Sequence, residues 1–300
     1  MITAPHPARV VVVGAASRDL VLQIPRMPAA GGSVPVEDRI ERLGGKGANI
    51  AAGIRQLSPA TVVTLIGVLG TDPAGEMAVR DATELGINLT HLIRRGQSAL
   101  LVDLVDETGE RRLFEQVPGE ALLTREDVAG AAATFRAADV VVLQLQQPPD
   151  VLLTAATIAH DAGAVIVLDG AVTGDAREAL LTMATVVRAD SREGEILTGR
   201  QLRTASNARL AATSLLERGP NTVALSVPEV GDVVAWPGGS QLHPHTTDGV
   251  VDPTGAGDAF VAGLIVGLLE GESPARMGQR GADAAVRAVR QLGGFVRFPP

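Results

Sequence analysis

The run "DPTGAGDAF" at residues 252–260 sets Gly255, Ala256 and Gly257 directly before Asp258 and a long apolar stretch. Three residues with little or no side chain leave their N–H groups free to converge on a ligand. A helix starting there adds partial positive charge from its N-terminus. Such a nest stabilises the charge spread over a phosphoryl group in transfer. A carboxylate on its rim, Asp258, can accept the proton of an attacking hydroxyl. A plainer reading is also open: Thr254 caps the helix and Asp258 meets its dipole. A second cluster, "LGGKGANIA" (43–51), has the same loop-to-helix character and carries Lys46 and Asn49.

Other phosphate and catalytic motifs are absent. Lys46 is followed by Gly47 rather than Ser or Thr, so there is no Walker A loop. "GAGDAF" has Phe260 where a dinucleotide fingerprint needs a small residue, "GAASRD" (14–19) lacks its second glycine, and no G-x-S-x-G elbow occurs. The histidines of "HPH" (243–245) read as a solvated pair rather than a metal site.

Elements must exist to position these clusters. The runs at 9–14, 61–70, 139–145, 164–169, 184–190 and 221–227 are short and rich in Val, Ile and Leu, the pattern of buried strands. Helical patterns fall at 46–57, 73–86, 124–136, 149–162, 175–183, 204–217, 256–270 and 273–291. Continuous apolar strands alternating with helices predict a parallel sheet covered on both faces, an α/β fold. In such sheets ligands bind beyond the strands' carboxyl ends, where both glycine clusters fall. Residues 33–43 and 98–117 alternate apolar and polar instead, with a turn at Glu107–Gly109, and predict antiparallel strands of a small accessory sheet. No repeats or low-complexity tracts interrupt the chain.

Composition narrows the function classes. The 300 residues suffice for one large α/β domain, and 46% hydrophobic with 20% charged residues is globular. A net charge of −8 argues against nucleic acid as a partner. With no Tyr and a single Trp, base-stacking platforms are not the main device. The absence of Cys excludes disulfides, thiolate nucleophiles and Cys-ligated zinc, and suits a reducing cytoplasm. The N-terminal residues lack a signal-peptide pattern, and the longest apolar run, Ala259 to Leu269, is too short to span a bilayer. The expectation is a soluble cytoplasmic protein.

Taken together, "GGKGAN" (44–49) and "DPTGAGDAF" resemble the paired signatures of the PfkB family, the ribokinase-like sugar and nucleoside kinases. The similarity extends over nearly the whole chain, through "VVVVGAASRD", "LQLQQP" (143–148) and "RADSREGEILTG" (188–199). It implies a single ribokinase-like domain over 1–300, its sheet flanked by helices, with a β-sheet lid from about 15–43 and 98–117. It further implies ATP-dependent transfer to an alcohol with Mg²⁺, and lids that pair two subunits into a homodimer.

By the resemblance, Asp258 is the catalytic base and Gly255, Ala256 and Gly257 form the anion hole. Asp19 matches the aspartate that bonds sugar hydroxyls, while Gly45, Lys46 and Asn49 match the acceptor-contacting part of the first signature. On residue type alone Lys46 also fits a solvated lysine at a helix start. Glu193 matches the glutamate of an Asn-x-x-Glu element that organises Mg²⁺ and its waters. Asp252, Thr254, Ala288 and Gly293 fall where relatives hold a monovalent cation such as K⁺.

Departures from the pattern bear on substrate and donor. Ser17 replaces a sugar-binding asparagine and Gln146 a glutamate; both still bond hydroxyls. Asp190 replaces the Asn of Asn-x-x-Glu. The nucleotide loop reads "SVPEVG" (226–231), keeping Ser226 and Gly231 but carrying Pro228, which has no N–H. Arg297 stands near a cation-site position expected to offer a hydroxyl. The reading that results is a kinase for a pentose or hexose. A nucleoside kinase and a sugar sensor without turnover stand as alternatives, the second motivated by the altered donor loop and opposed by the intact "TGAGD".

Overall fold

The computed structural model describes residues 6–293. In chain order the elements are β1 (Arg9–Val13), β2 (Ser17–Ile24), β3 (Asp38–Gly44), α1 (Lys46–Leu57), β4 (Val62–Ile66), β5 (Val68–Leu69), α2 (Pro73–Glu84), β6 (Ile93–Arg94), β7 (Ala99–Asp106) and β8 (Arg111–Gln116). Then come α3 (Arg125–Gly130), α4 (Ala132–Arg136), β9 (Val140–Gln144), α5 (Pro149–Asp161), β10 (Val165–Asp169), α6 (Asp175–Met183), β11 (Val186–Ala189) and α7 (Ser191–Thr198). The chain continues with α8 (Ala205–Leu216), β12 (Thr222–Val227), β13 (Gly231–Trp236), β14 (Gly239–Pro244), α9 (Ala256–Leu269) and α10 (Pro274–Ala288).

The main sheet has eight strands in the order β14-β13-β12-β11-β10-β9-β1-β4. Strands β4 to β12 of that order pair in parallel, and β13 and β14 extend it as an antiparallel hairpin. Alternation along each strand divides the core between two faces. Val10 and Val12 pack with α1, α9 and α10 on one side; Val11 and Val13 pack with α5, α6 and α8 on the other. The strands buried on both faces are largely apolar, and toward the carboxyl ends of β10 and β11 stand the charged Asp169 and Arg188.

A separate four-stranded sheet, β3-β2-β7-β8, stands over those carboxyl ends. One correction concerns its pairing. As the alternating segments predict, β7 and β8 form an antiparallel hairpin and β3 pairs antiparallel with β2, but β2 and β7 pair in parallel. The connection from β2 to β7 passes through the main domain, so β7 re-enters the lid in the direction of β2. The inner face, with Asp19, Leu101 and Asp103, looks down on the main sheet. Its outer face carries the half-buried Leu20, Leu22, Leu100, Val102 and Leu104 and the exposed Phe114.

Two further differences are local. The helix expected at 124–136 is two short helices, broken at Ala131, whose backbone (φ −97°, ψ 7°) leaves the α region just after Gly130. The helix α7 and the hairpin β13–β14 were not expected; α7 is fixed by a capping box in which Asp190 and Glu193 satisfy each other's backbone N–H, and by Gly199 in the left-handed conformation at its end.

Candidate active site

The lid and the carboxyl ends of β1, β9 and β11 enclose a cleft of about 710 Å³. Ser17, Asp19, Gly45, Lys46, Asn49, Gln146, Asp190, Glu193, Gly255, Gly257 and Asp258 all line it, gathered from five separate stretches of chain. Asp19 sits on β2 with its Oδ1 accepting from Ser17 Oγ at 2.7 Å. Gly44 makes room for it, since a Cβ there would overlap the Asp19 carboxylate. Burial pushes the Asp19 carboxyl up to about 6, against the Ser17 bond and with help from the nearby Asp103. Gln146 is exposed at the rim; its neighbour Gln147 is buried, holding Leu123 N–H at 3.0 Å as part of the framework.

Asp258 is the third residue of α9 and only 6% exposed. Its Oδ2 accepts from Asn49 Nδ2 at 2.9 Å, which ties α9 to the start of α1. Burial raises its carboxyl to about 7, opposed chiefly by Lys46. The helix has no side-chain cap: Gly255 is the N-cap, with φ 75°, a left-handed conformation that costs a residue with a Cβ. Thr254 therefore does not cap it, which removes that part of the plainer reading of "TGAGD", while Asp258 does stand in the first turn; the Thr254 Oγ1 is buried without a partner. Ala256 N–H leans on Pro253 O at 3.3 Å, and Ala256 faces a second cavity rather than the cleft.

That second cavity, about 260 Å³, lies on the far side of Gly257. Phe260, Ala285, Val286 and Val289 make it apolar, while Ser226, Asp232 and His245 supply polar edges. Gly231 closes the β12–β13 turn, paired with Val227, and Glu229 in that turn has φ 62°. The histidines are not a solvated pair: His243 is buried in β14, and His245 Nε2 lies 3.1 Å from Asp232 Oδ2.

Charged residues that sequence reading passed over join the two cavities. Arg188, inside β11, lines both of them, as does Gly257. Its Nη1 lies 3.2 Å from Oδ1 of Asp169, a fully buried carboxylate at the end of β10. Lys46 Nζ donates to Glu193 Oε1 at 2.9 Å, so Lys46 is paired rather than solvated. Burial alone would lower the Lys46 ammonium; Asp169, Glu193 and Asp258 outweigh it and hold the lysine charged. The Glu193 carboxyl is held below its ordinary value, Lys46 and Arg188 overcoming its desolvation. A charged residue at or near the end of a Val-rich strand was the available signal for Asp169 and Arg188.

For Mg²⁺, the hard oxygens of Asp190 and Glu193 line the cleft, but Glu193 already accepts from Lys46 Nζ and from Asp190 N–H. These residues suit an ion carried mainly by water and phosphate oxygens, the usual habit of Mg²⁺. At the proposed monovalent site, Asp252 is buried with Oδ1 and Oδ2 accepting from the N–H of Thr254 and Gly293, both at 2.8 Å. Ala288 O accepts from Gln291 N–H at 3.3 Å. The four residues thus include a closed backbone clasp, and Arg297 lies outside the described residues.

The profile of the pfkB family carbohydrate kinases matches residues 7–296. An ATP-dependent ribose-1-phosphate kinase from Halopiger xanaduensis is 30% identical over 288 residues, covering 94% of this chain and 93% of that one. A ribokinase from Haemophilus influenzae is 26% identical over 290 residues, covering 96% and 94%. The structure of Arabidopsis thaliana ribokinase complexed with ribose and ATP superposes with a TM-score of 0.78 at 25% identity, covering 97% of this chain and 95% of that one.

Proposed function

This chain belongs to the pfkB family of carbohydrate kinases, and from that premise we propose that it transfers the γ-phosphoryl group of Mg·ATP to a hydroxyl of a pentose or hexose. One observation carries the site assignment: a carboxylate with an elevated pKa, Asp258, borders an uncapped helix N-terminus in the same cleft as Asp19 and Asn49.

In the proposed mechanism the sugar lies under the lid, its hydroxyls bonded by Asp19 and Asn49, with Ser17 fixing the Asp19 rotamer. ATP occupies the neighbouring apolar cavity, past Ser226 and Gly231, and its terminal phosphate reaches the N–H groups of Gly255 and Gly257. Asp258 takes the hydroxyl proton, the acceptor oxygen bonds to the γ-phosphorus, and the bond to the β-phosphate oxygen breaks, its electron pair leaving with ADP. Little covalent chemistry is asked of the protein, and positioning and charge stabilisation supply most of the acceleration. Mg²⁺, organised by Glu193 and Asp190, would neutralise the phosphate oxygens. Lys46 holds Glu193 toward the cleft.

We read the chain as one kinase domain working in the cytoplasm, which its lack of cysteine suits. None of its described helices is long and apolar enough to cross a membrane. The apolar outer face of the lid supports a homodimer formed through it.

The test is ADP release measured over a panel of sugars, sugar phosphates and nucleosides, with wild type and Asp258→Asn side by side. Turnover of a sugar that the substitution abolishes is the expected result. Binding without turnover across the panel would instead make the protein a sensor, and turnover restricted to nucleosides would move the acceptor class.

A further inference from the structure

We propose that Arg188 is a catalytic residue whose guanidinium binds the γ-phosphoryl group as it passes from the nucleotide cavity to the acceptor cleft. The inference rests on the kinase reading above and adds a residue to it. Arg188 lies on a strand whose neighbours Val186, Val187 and Ala189 are fully apolar, and it is 7% exposed. It lines both cavities, together with Gly257. The lack of a side chain at Gly257 is what admits it: a Cβ there would collide with Nη1 and Nη2. A permanent positive charge therefore packs against the backbone of the proposed anion hole, where the two cavities meet.

An arginine kept only to neutralise Asp169 would be expected to engage it with both prongs of the fork. Here the contact is single. Nη1 alone reaches Asp169 Oδ1, while Asp169 Oδ2 and Arg188 Nε are buried without partners. Lys46, the other buried cation of the cluster, has its Nζ on Glu193. Arg188 thus keeps donors that Asp169 does not use, and of these Nη2 lies against Gly257. During transfer the three peripheral oxygens of the phosphoryl group carry the charge, and a fixed guanidinium meets them without reorganisation. Proton and leaving electrons go where they went before, to Asp258 and to ADP; Arg188 exchanges neither. Asp169 acts through Arg188 as a positioning residue.

The experiment uses the full chain with Arg188→Lys, Arg188→Met and the double variant Arg188→Met/Asp169→Asn, which leaves no unpaired buried charge should the single Met variant fail to fold. Two quantities are measured: kcat and KM on the best acceptor, and the affinity for Mg·ADP with and without aluminium fluoride, a mimic of the phosphoryl group in flight. Wild type should bind Mg·ADP more tightly when fluoride and acceptor are present. In the variants that tightening should shrink at least about 30-fold, with kcat down by roughly 10²- to 10³-fold and affinity for Mg·ADP alone nearly unchanged. A structural role would weaken both nucleotide states alike. Folded variants that keep the fluoride response and hold kcat within about 5-fold of wild type would overturn the role of Arg188 while leaving the kinase reading intact. Absence of turnover by wild type on every acceptor would remove both.

Discussion

Asp258→Asn should make the ligand-free protein more stable, by a margin that grows from about pH 4 to pH 7 and is full above it. The folded protein raises the Asp258 carboxyl from 3.8 to about 7, mainly by desolvation. Each tenfold change in proton affinity is worth about 1.4 kcal/mol, so keeping this side chain ionised costs the fold on the order of 4 kcal/mol. The sign follows from proton counting. Between about pH 4 and pH 7 the native state holds a proton that the unfolded chain has released, so stability falls as pH rises through this window and levels off above it. Asparagine imitates the neutral acid and can still accept the bond that Asn49 Nδ2 now gives to Oδ2. For a chain of this size 1 kcal/mol corresponds to roughly 2 °C in Tm, giving a gain of roughly 8 °C at pH 8 that shrinks steadily below pH 7. Thermal unfolding of both proteins from pH 5 to pH 8 measures it. A variant that melts with or below wild type at pH 8, or a gain that is the same at every pH, would refute the claim that this carboxylate is held ionised against its surroundings.

Further outcomes follow from the same geometry. Because Asp258 must be ionised to take a proton, kcat/KM should rise with pH to a plateau, with its midpoint near 7; a flat profile from pH 5 to pH 8 would remove Asp258 as the base. Asp19→Ala should raise the acceptor KM at least about 10-fold and leave the ATP KM within about 2-fold, whereas equal effects on both would place Asp19 outside the acceptor subsite. Phe114→Glu, on the exposed outer face of the lid, should shift the protein from dimer to monomer in sedimentation, and an unaltered dimer would locate the interface elsewhere. Glu229→Gly relieves a left-handed backbone and should raise unfolding stability by about 1 kcal/mol in denaturant titration; a loss would show that the side chain contributes more than the strain costs.

The main sheet was legible because strands buried on both faces must be apolar throughout, and "RVVVV" or "VIVLD" admits few other readings. Helices α1 and α9 were equally plain, each an apolar run opened by a glycine cluster. The hairpin β13–β14 escaped because "GDVVAWPGGSQLHP" mixes burial classes, although its Pro-Gly-Gly turn marked it. Helix α7 escaped because its eight residues, SREGEILT, show little periodicity; its Asp-x-x-Glu capping box was the missed cue. The parallel pairing of β2 with β7 is non-local, set by a connection through the main domain, and no local pattern encodes it. At the site, Asp258 announced itself by its neighbours, and Asp19 by family resemblance. Arg188 and Asp169 did not, because each lies in or at the end of an apolar strand and acquires meaning only when parallel pairing sets β10 beside β11.

The central claim is that Asp258 faces both a sugar hydroxyl and a phosphate held by the amides of Gly255 and Gly257. A crystal structure of the ternary complex with Mg²⁺, a non-hydrolysable ATP analogue and the best acceptor tests it most directly. The account expects one carboxylate oxygen of Asp258 within about 2.6–3.2 Å of the acceptor hydroxyl, with that hydroxyl in line with the γ-phosphorus. A hydroxyl directed at any other base, or a terminal phosphate bound away from Gly255 and Gly257, would contradict it.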